Sequence, residues 1–200
     1  MLTDRGSFDF STIRYCADEP NSNVFNDMVR AASDFHERTL AASGLQITKE
    51  IMPGPYGVLQ KCVAALGLQE ASVDGYVFST PNNNAYCFAA GPDSINIAIS
   101  SIMIRMMRTR ELAFVIGHEL GHAFFGHLGG VHVTDSVMDF EQMRAMRARE
   151  ISADRTGFLC AENVESTVSA MMKTASGLDE SVLKFNVGAF VDQCDKLKEL

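Results

Sequence analysis

Glu111-Leu112-Ala113-Phe114-Val115-Ile116-Gly117-His118-Glu119-Leu120-Gly121-His122 sets the frame for the rest of this chain. Thr109 stands as an N-cap, Glu111 falls in a first turn and Gly129-Gly130 lies beyond the end, which predicts a helix from 109 to about 127. At about 100° per residue, His118 and His122 lie on nearly one line, a turn apart. Both imidazoles can therefore reach one metal ion from one side. Glu119 is turned one step off that line, out of ligand position but within reach of a water at the metal. This is the His-Glu-x-x-His arrangement, two nitrogen ligands with a carboxylate general base. The bland alternative is an amphipathic core helix whose histidines repeat by accident, and it predicts no metal.

A catalytic zinc needs a third protein ligand and a fourth position left open. A third histidine six residues past the second, with glycine midway, is excluded because Phe125 and Leu128 occupy those places. His127 lies about 140° around the helix from His122 and reads as a helix-end histidine. Glu150, 28 residues beyond His122 on the next expected helix, is the better candidate, and Asp154 follows one turn later on the same face. Asp135, Asp139 and Glu141 are other acidic residues within reach of the connecting loop. Ile151, Ala153 and Phe158 suggest that the segment around Glu150 packs inward. In this arrangement Glu150 ligates, and Asp154 accepts from the outer N–H of a ligand histidine and fixes its tautomer.

Around this centre the chain divides by pattern. Residues 24–43, with Asn23 as N-cap and Gly44 as stop, and residues 56–66, closed by Gly67, read as helices. Residues 75–80, 85–89 and 95–99 read as three short strands joined by turns at Pro81-Asn82-Asn83-Asn84 and Gly91-Pro92-Asp93, an antiparallel meander. Further helices are expected over 102–107, 137–160, 164–175 and 181–200, with Met138, Met143, Met146, Ile151 and Phe158 as core contacts of the second. Without repeats or linkers, this reads as one α+β domain, 1–200. Within it, 1–70 supplies N-terminal helices, 75–160 the core with the chemistry, and 161–200 C-terminal helices.

Composition sets the class. The 200 residues are 46% hydrophobic and 21% charged, and a formal net charge of −8 offers no electrostatic footprint for nucleic acid or anionic lipid. No apolar run approaches the roughly 18 residues needed to span a bilayer. Acidic residues in the first twenty positions argue against a signal peptide. Five cysteines without Cys-x-x-Cys spacing read as reduced thiols. The expectation is a cytoplasmic protein. The eleven methionines read as core filler, and Cys87 as a strand thiol and not an inhibitory metal cap.

The stretch 111–122, with His127 after it, resembles the active-site helix of the HtpX / CAAX-prenyl-protease family of zinc metallopeptidases. Glu150-Ile151-Ser152-Ala153-Asp154-Arg155-Thr156-Gly157 resembles that family's Glu-x-x-Ala-Asp helix, which supplies the third ligand. Asn84-Ala85-Tyr86, followed by Gly91 and the 95–99 strand, is similar to its edge strand, where a peptide docks by strand addition. The resemblance covers residues 76–157. It implies a soluble short form of a gluzincin. The fold would be zincin-like and mainly helical, with a small three-stranded antiparallel sheet beside the active-site helix. One Zn²⁺ would be held by His118, His122 and Glu150, with Glu119 as general base, Asp154 behind a ligand, and Asn84, Ala85 and Tyr86 binding substrate. The implied activity is endopeptidase cleavage of extended or unfolded polypeptides through a zinc-activated water. The alternative is an inactive metallopeptidase-like interaction or regulatory domain. The chain departs from the family in having no spanning segment, and no His or Tyr after His132 to hold an oxyanion. Arg149, Arg155, His132 and Tyr86 are the candidates left for that role.

Overall fold

The computed structural model describes residue 39 and residues 43–91, 94–127 and 140–196. The expected 24–43 helix lies outside these residues except for Thr39 and Ser43, which are helical, and His132 lies outside them altogether. The elements run β1 (Leu45–Gln46), α1 (Pro53–Leu66), β2 (Ser72–Phe78), β3 (Ala85–Gly91), β4 (Ser94–Ser100), α2 (Ser101–Met106), α3 (Thr109–Phe124), α4 (Phe140–Ala161), α5 (Val164–Ser176) and α6 (Val187–Lys196). The class is α+β, as the sequence suggests.

The sheet differs from a meander. Its order is β1-β2-β4-β3, so β4 lies between β2 and β3. β3 pairs antiparallel with β4, whereas β2 runs parallel to β4, with Val73 opposite Ile95 and Val77 opposite Ile99. The physical reason is burial. Ile95, Ile97 and Ile99 make β4 the most apolar strand, and even its alternate residues Asn96 and Ala98 are buried, so it takes the place flanked on both sides. A fourth strand, β1, pairs antiparallel with β2 and was not expected.

α1 begins three residues before the expected start because Pro53 and Pro55 fit a first turn, where the missing N–H leaves nothing unsatisfied. It ends as expected on Gly67, at φ +71°. Leu59, Cys62 and Val63 of α1 and Leu112, Ile116 and Leu120 of α3 join the isoleucines of β4 in one buried core. The N-cap of α3 is Arg108 and not Thr109: Arg108 is extended, and its N–H donates to Glu111 Oε2 at 2.7 Å.

α4 packs against α3 differently from expectation. Met143, Met146, Ile151 and Phe158 are exposed, at 43%, 38%, 46% and 44%, so they are not core contacts. The seam is built of small residues. A β-carbon on Gly117 would lie 2.7 Å from Cys160 Cβ and 3.1 Å from Gly157 Cα, and one on Gly121 would lie 3.1 Å from Ala153 Cα. Large side chains have no room there, so they are displaced to the outer face.

At the other end of α3 the buried Glu111 is held by α5. Lys173 Nζ donates to Glu111 Oε2 at 2.7 Å and to the Met106 carbonyl at 2.8 Å, and Ser169 Oγ donates to Glu111 Oε1 at 2.6 Å. α6 is shorter than expected, because residues 181–186 form turns and irregular chain. Among the described residues no helix is long and apolar enough to cross a membrane.

Candidate metal centre

α3 carries His118, Glu119 and His122, and the close seam with α4 fixes where Glu150 and Asp154 stand. The two Nε2 atoms of His118 and His122 face each other at 3.2 Å. Glu150 Oε2 lies 3.5 Å from His118 Nε2, and Glu150 Oε1 lies 3.7 Å from His122 Nε2. Among the described residues these three are the group whose ligand atoms gather within 4.8 Å of one another. Tetrahedral zinc with bonds of 2.0–2.1 Å sets neighbouring ligand atoms about 3.3–3.4 Å apart. The donor set therefore fits such an ion with shifts of a few tenths of an ångström. Borderline nitrogen donors joined by one carboxylate suit zinc chemically as well.

Each imidazole is backed. His118 Nδ1 stands 3.0 Å from Asp154 Oδ1. Burial lowers the His118 pKa, but the Asp154 hydrogen bond and the charges of Glu119, Asp154 and Glu150 outweigh it, and the net shift is upward. His122 moves the other way, pulled down by burial and by the neighbouring His118. Its Nδ1 lies 3.2 Å from His127 Nδ1, a contact that sequence spacing did not indicate. His127 is itself held below its ordinary value by burial and by Arg149.

Glu119 lies at the junction of α3 and β3. The Cys87 thiol donates to the Glu119 carbonyl at 2.7 Å, which puts the β3 edge directly beside this residue. Burial pushes the Glu119 carboxyl up to about 7. Burial, and then the Glu119 charge, holds the Cys87 thiol well above its ordinary value, so it stays protonated. Cys62, Cys87 and Cys160 are free thiols.

Asn84 precedes β3: its N–H donates to Ser100 Oγ at 3.2 Å, and its carbonyl accepts from Ser100 N at 2.9 Å. Ala85 and Tyr86 open the strand itself. Side chains alternate across a sheet, so Tyr86 stands on the face opposite Cys87 and Glu119, with its ring 5.5 Å from Phe78 and 6.2 Å from Phe88. Its hydroxyl is therefore not brought to the metal centre. Arg155 lies exposed on α4, and Arg149 stands near His127.

Two features of the site escaped the sequence reading. The signal for the Gly117/Gly121 and Ala153/Gly157 seam is a pair of small residues spaced by four on each of two facing helices. His127 folds back because Gly126, at φ +67°, turns the chain at the end of α3.

A helix-borne His-Glu-x-x-His facing a carboxylate on the next helix is an arrangement that can hold a divalent metal ion. Residues 57–142 match peptidase family M48. The match stops short of Glu150, so the third corner rests on geometry. The chain is 29% identical over 166 residues to the plastoglobule-localized metallopeptidase 48, chloroplastic, of Arabidopsis thaliana, covering 74% of this chain and 47% of that protein. It is 26% identical over 174 residues to a protease HtpX homolog of Desulfatibacillum aliphaticivorans, covering 62% and 55% respectively. The chain thus spans about half the length of these curated relatives. No solved structure matches it.

Proposed function

We propose that this chain is a zinc-dependent metalloendopeptidase acting on extended or unfolded polypeptide segments. The observation that carries the reading is the convergence of His118, His122 and Glu150 at near-tetrahedral spacings with Glu119 adjoining. These three residues would hold the ion, and Asp154 would keep His118 oriented. When bound, zinc supplies Lewis acidity toward a carbonyl and acidifies a water. Two neutral imidazoles and one carboxylate leave a net charge of about +1 on the site, which preserves that acidity.

Glu119 takes the proton from the attacking water and returns it to the leaving amine. Burial of the Glu119 carboxyl favours its accepting a proton, as a general base requires. The substrate lies along β3. In an antiparallel pair, residues alternate in the edge to which they turn their amide and carbonyl. Asn84 bonds to Ser100, so Ala85 and Cys87 turn theirs away from β4, where an extended peptide can pair main chain to main chain. Such pairing reads the backbone, which favours unfolded segments over a particular sequence.

The test is casein hydrolysis by the purified, zinc-loaded chain, with Glu119→Gln as control. The expected result is chelator-sensitive cleavage in the wild type and its loss in a variant that still binds zinc. Cleavage that survives Glu119→Gln overturns the mechanism. Zinc binding with no cleavage by either protein favours the inactive interaction domain.

A further inference from the structure

The ligand helix holds its two histidines by different devices, and only one of them is a carboxylate. His118 has Asp154 behind its Nδ1 at 3.0 Å. The corresponding atom of His122 faces another imidazole, that of His127, at 3.2 Å. The backbone makes this possible. α3 ends at Phe124, the Phe125 N–H still donates to the Gly121 carbonyl at 3.0 Å, and Gly126 at φ +67° then reverses the chain. A left-handed conformation there favours glycine. The His127 ring comes to rest stacked on Phe125, with centroids 5.7 Å apart, and edge-on to His122 at 5.3 Å.

An imidazole that offers Nε2 to a cation carries its proton on Nδ1 and must give that proton to an acceptor. For His122, whose Nε2 faces His118 and Glu150, the acceptor at hydrogen-bond distance is His127 Nδ1. His127 is then fixed as the tautomer with its proton on Nε2. We propose that His127 is a positioning residue for His122: it accepts the Nδ1 proton and holds the ring so that Nε2 faces the cation. This rests on the metal-centre reading above and deepens it. His127 is not itself a ligand in this account. Its Nδ1 addresses the opposite side of the His122 ring from the atoms that gather with Glu150, and it stands outside the converging group. The arrangement also gives His122 an anchor without adding a further carboxylate to those of Glu119, Glu150 and Asp154.

The test uses the full chain with Zn²⁺ alone as the probe, its affinity read by competition with a chromophoric chelator. Thermal melting of the metal-free protein is measured alongside. His127→Phe keeps a ring to stack on Phe125 and removes the acceptor; His127→Asn keeps an oxygen near the position of Nδ1. The expected result is a 10–100-fold loss of zinc affinity in His127→Phe, the range for removing a group that orients a metal ligand. His127→Asn should recover to within a few-fold of wild type, and the metal-free melting temperatures should stay close together. Zinc binding by His127→Phe as tight as wild type overturns the proposal, as does His127→Asn binding as weakly as His127→Phe. Ring-nitrogen ¹⁵N shifts of the zinc-loaded wild type provide a reading independent of any variant: a proton on His127 Nδ1 also overturns it. A wild-type chain that takes up no zinc overturns the metal-centre reading and this proposal together, which separates the two failures.

Discussion

Gly157→Ala and Gly57→Ala introduce the same methyl group into two helices, and the structure assigns them opposite signs. At Gly57, inside α1, a β-carbon meets nothing within 4 Å. Only the helix-propensity gain remains, and it stabilises by about 0.5–1 kcal/mol. At Gly157, inside α4, the β-carbon would sit 2.7 Å from the Phe114 carbonyl oxygen and 2.8 Å from Phe114 Cδ2. The ring can swing aside, but the carbonyl belongs to α3 and cannot. Carbon–oxygen contacts ordinarily begin near about 3.3 Å, so the helices must separate by roughly 0.6 Å. Overpacking of this kind costs about 1–3 kcal/mol, against the same propensity gain of about 1 kcal/mol, which leaves a net loss of about 1 kcal/mol. The separation also carries Glu150 and Asp154 away from the histidines, beyond the tolerance of about 0.2 Å that metal–ligand distances allow. Urea denaturation with chelator present should show Gly57→Ala above wild type and Gly157→Ala below it. Zinc competition should show weakened binding only in the second. A Gly157→Ala protein as stabilised as Gly57→Ala would refute the close-seam argument.

Asp154→Ala removes the acceptor behind His118 and should weaken zinc binding by about 10–100-fold in a chelator competition, with little change in the metal-free melting temperature. Lys173→Met leaves Glu111 buried without its cation and should destabilise by about 3–5 kcal/mol in urea; Lys173→Met with Glu111→Leu should recover much of that loss. The Glu180 carboxyl sits below its ordinary range because Lys173, and then Arg108, donates to it. A depressed folded-state value means that its contribution is in place above the unfolded value of about 4.3 and is lost as pH falls through the lower folded one. Over about pH 6 to 3, stability measured by urea denaturation should therefore fall less steeply in Glu180→Gln than in wild type.

The legible parts of this molecule are those governed by local periodicity. The i, i+4 spacing of His118 and His122, and of Glu150 and Asp154, is a property of a helix alone, and the structure brings these four side chains together. Gly67 and Gly177 each end a helix in the left-handed conformation, as their positions in the sequence suggest. What depends on partners was not legible. The parallel pairing of β2 with β4 follows from competition among strands for the buried centre, and no single strand encodes that outcome. Ile151 and Phe158 look like core residues by hydrophobicity, yet the seam takes Ala153 and Gly157 because backbones approach too closely for more. The contact of His127 with His122 depends on one positive φ at Gly126, which fixed helical geometry carried through to His127 does not anticipate.

Zinc titration of the full chain by calorimetry, for wild type and for Glu150→Ala and Glu141→Ala, tests the convergence of two helices on one ion most directly. One equivalent bound by the wild type, sharply weakened by Glu150→Ala and unchanged by Glu141→Ala, is the result this geometry requires. An affinity that Glu150→Ala leaves untouched, or a chain that takes up no zinc, contradicts it.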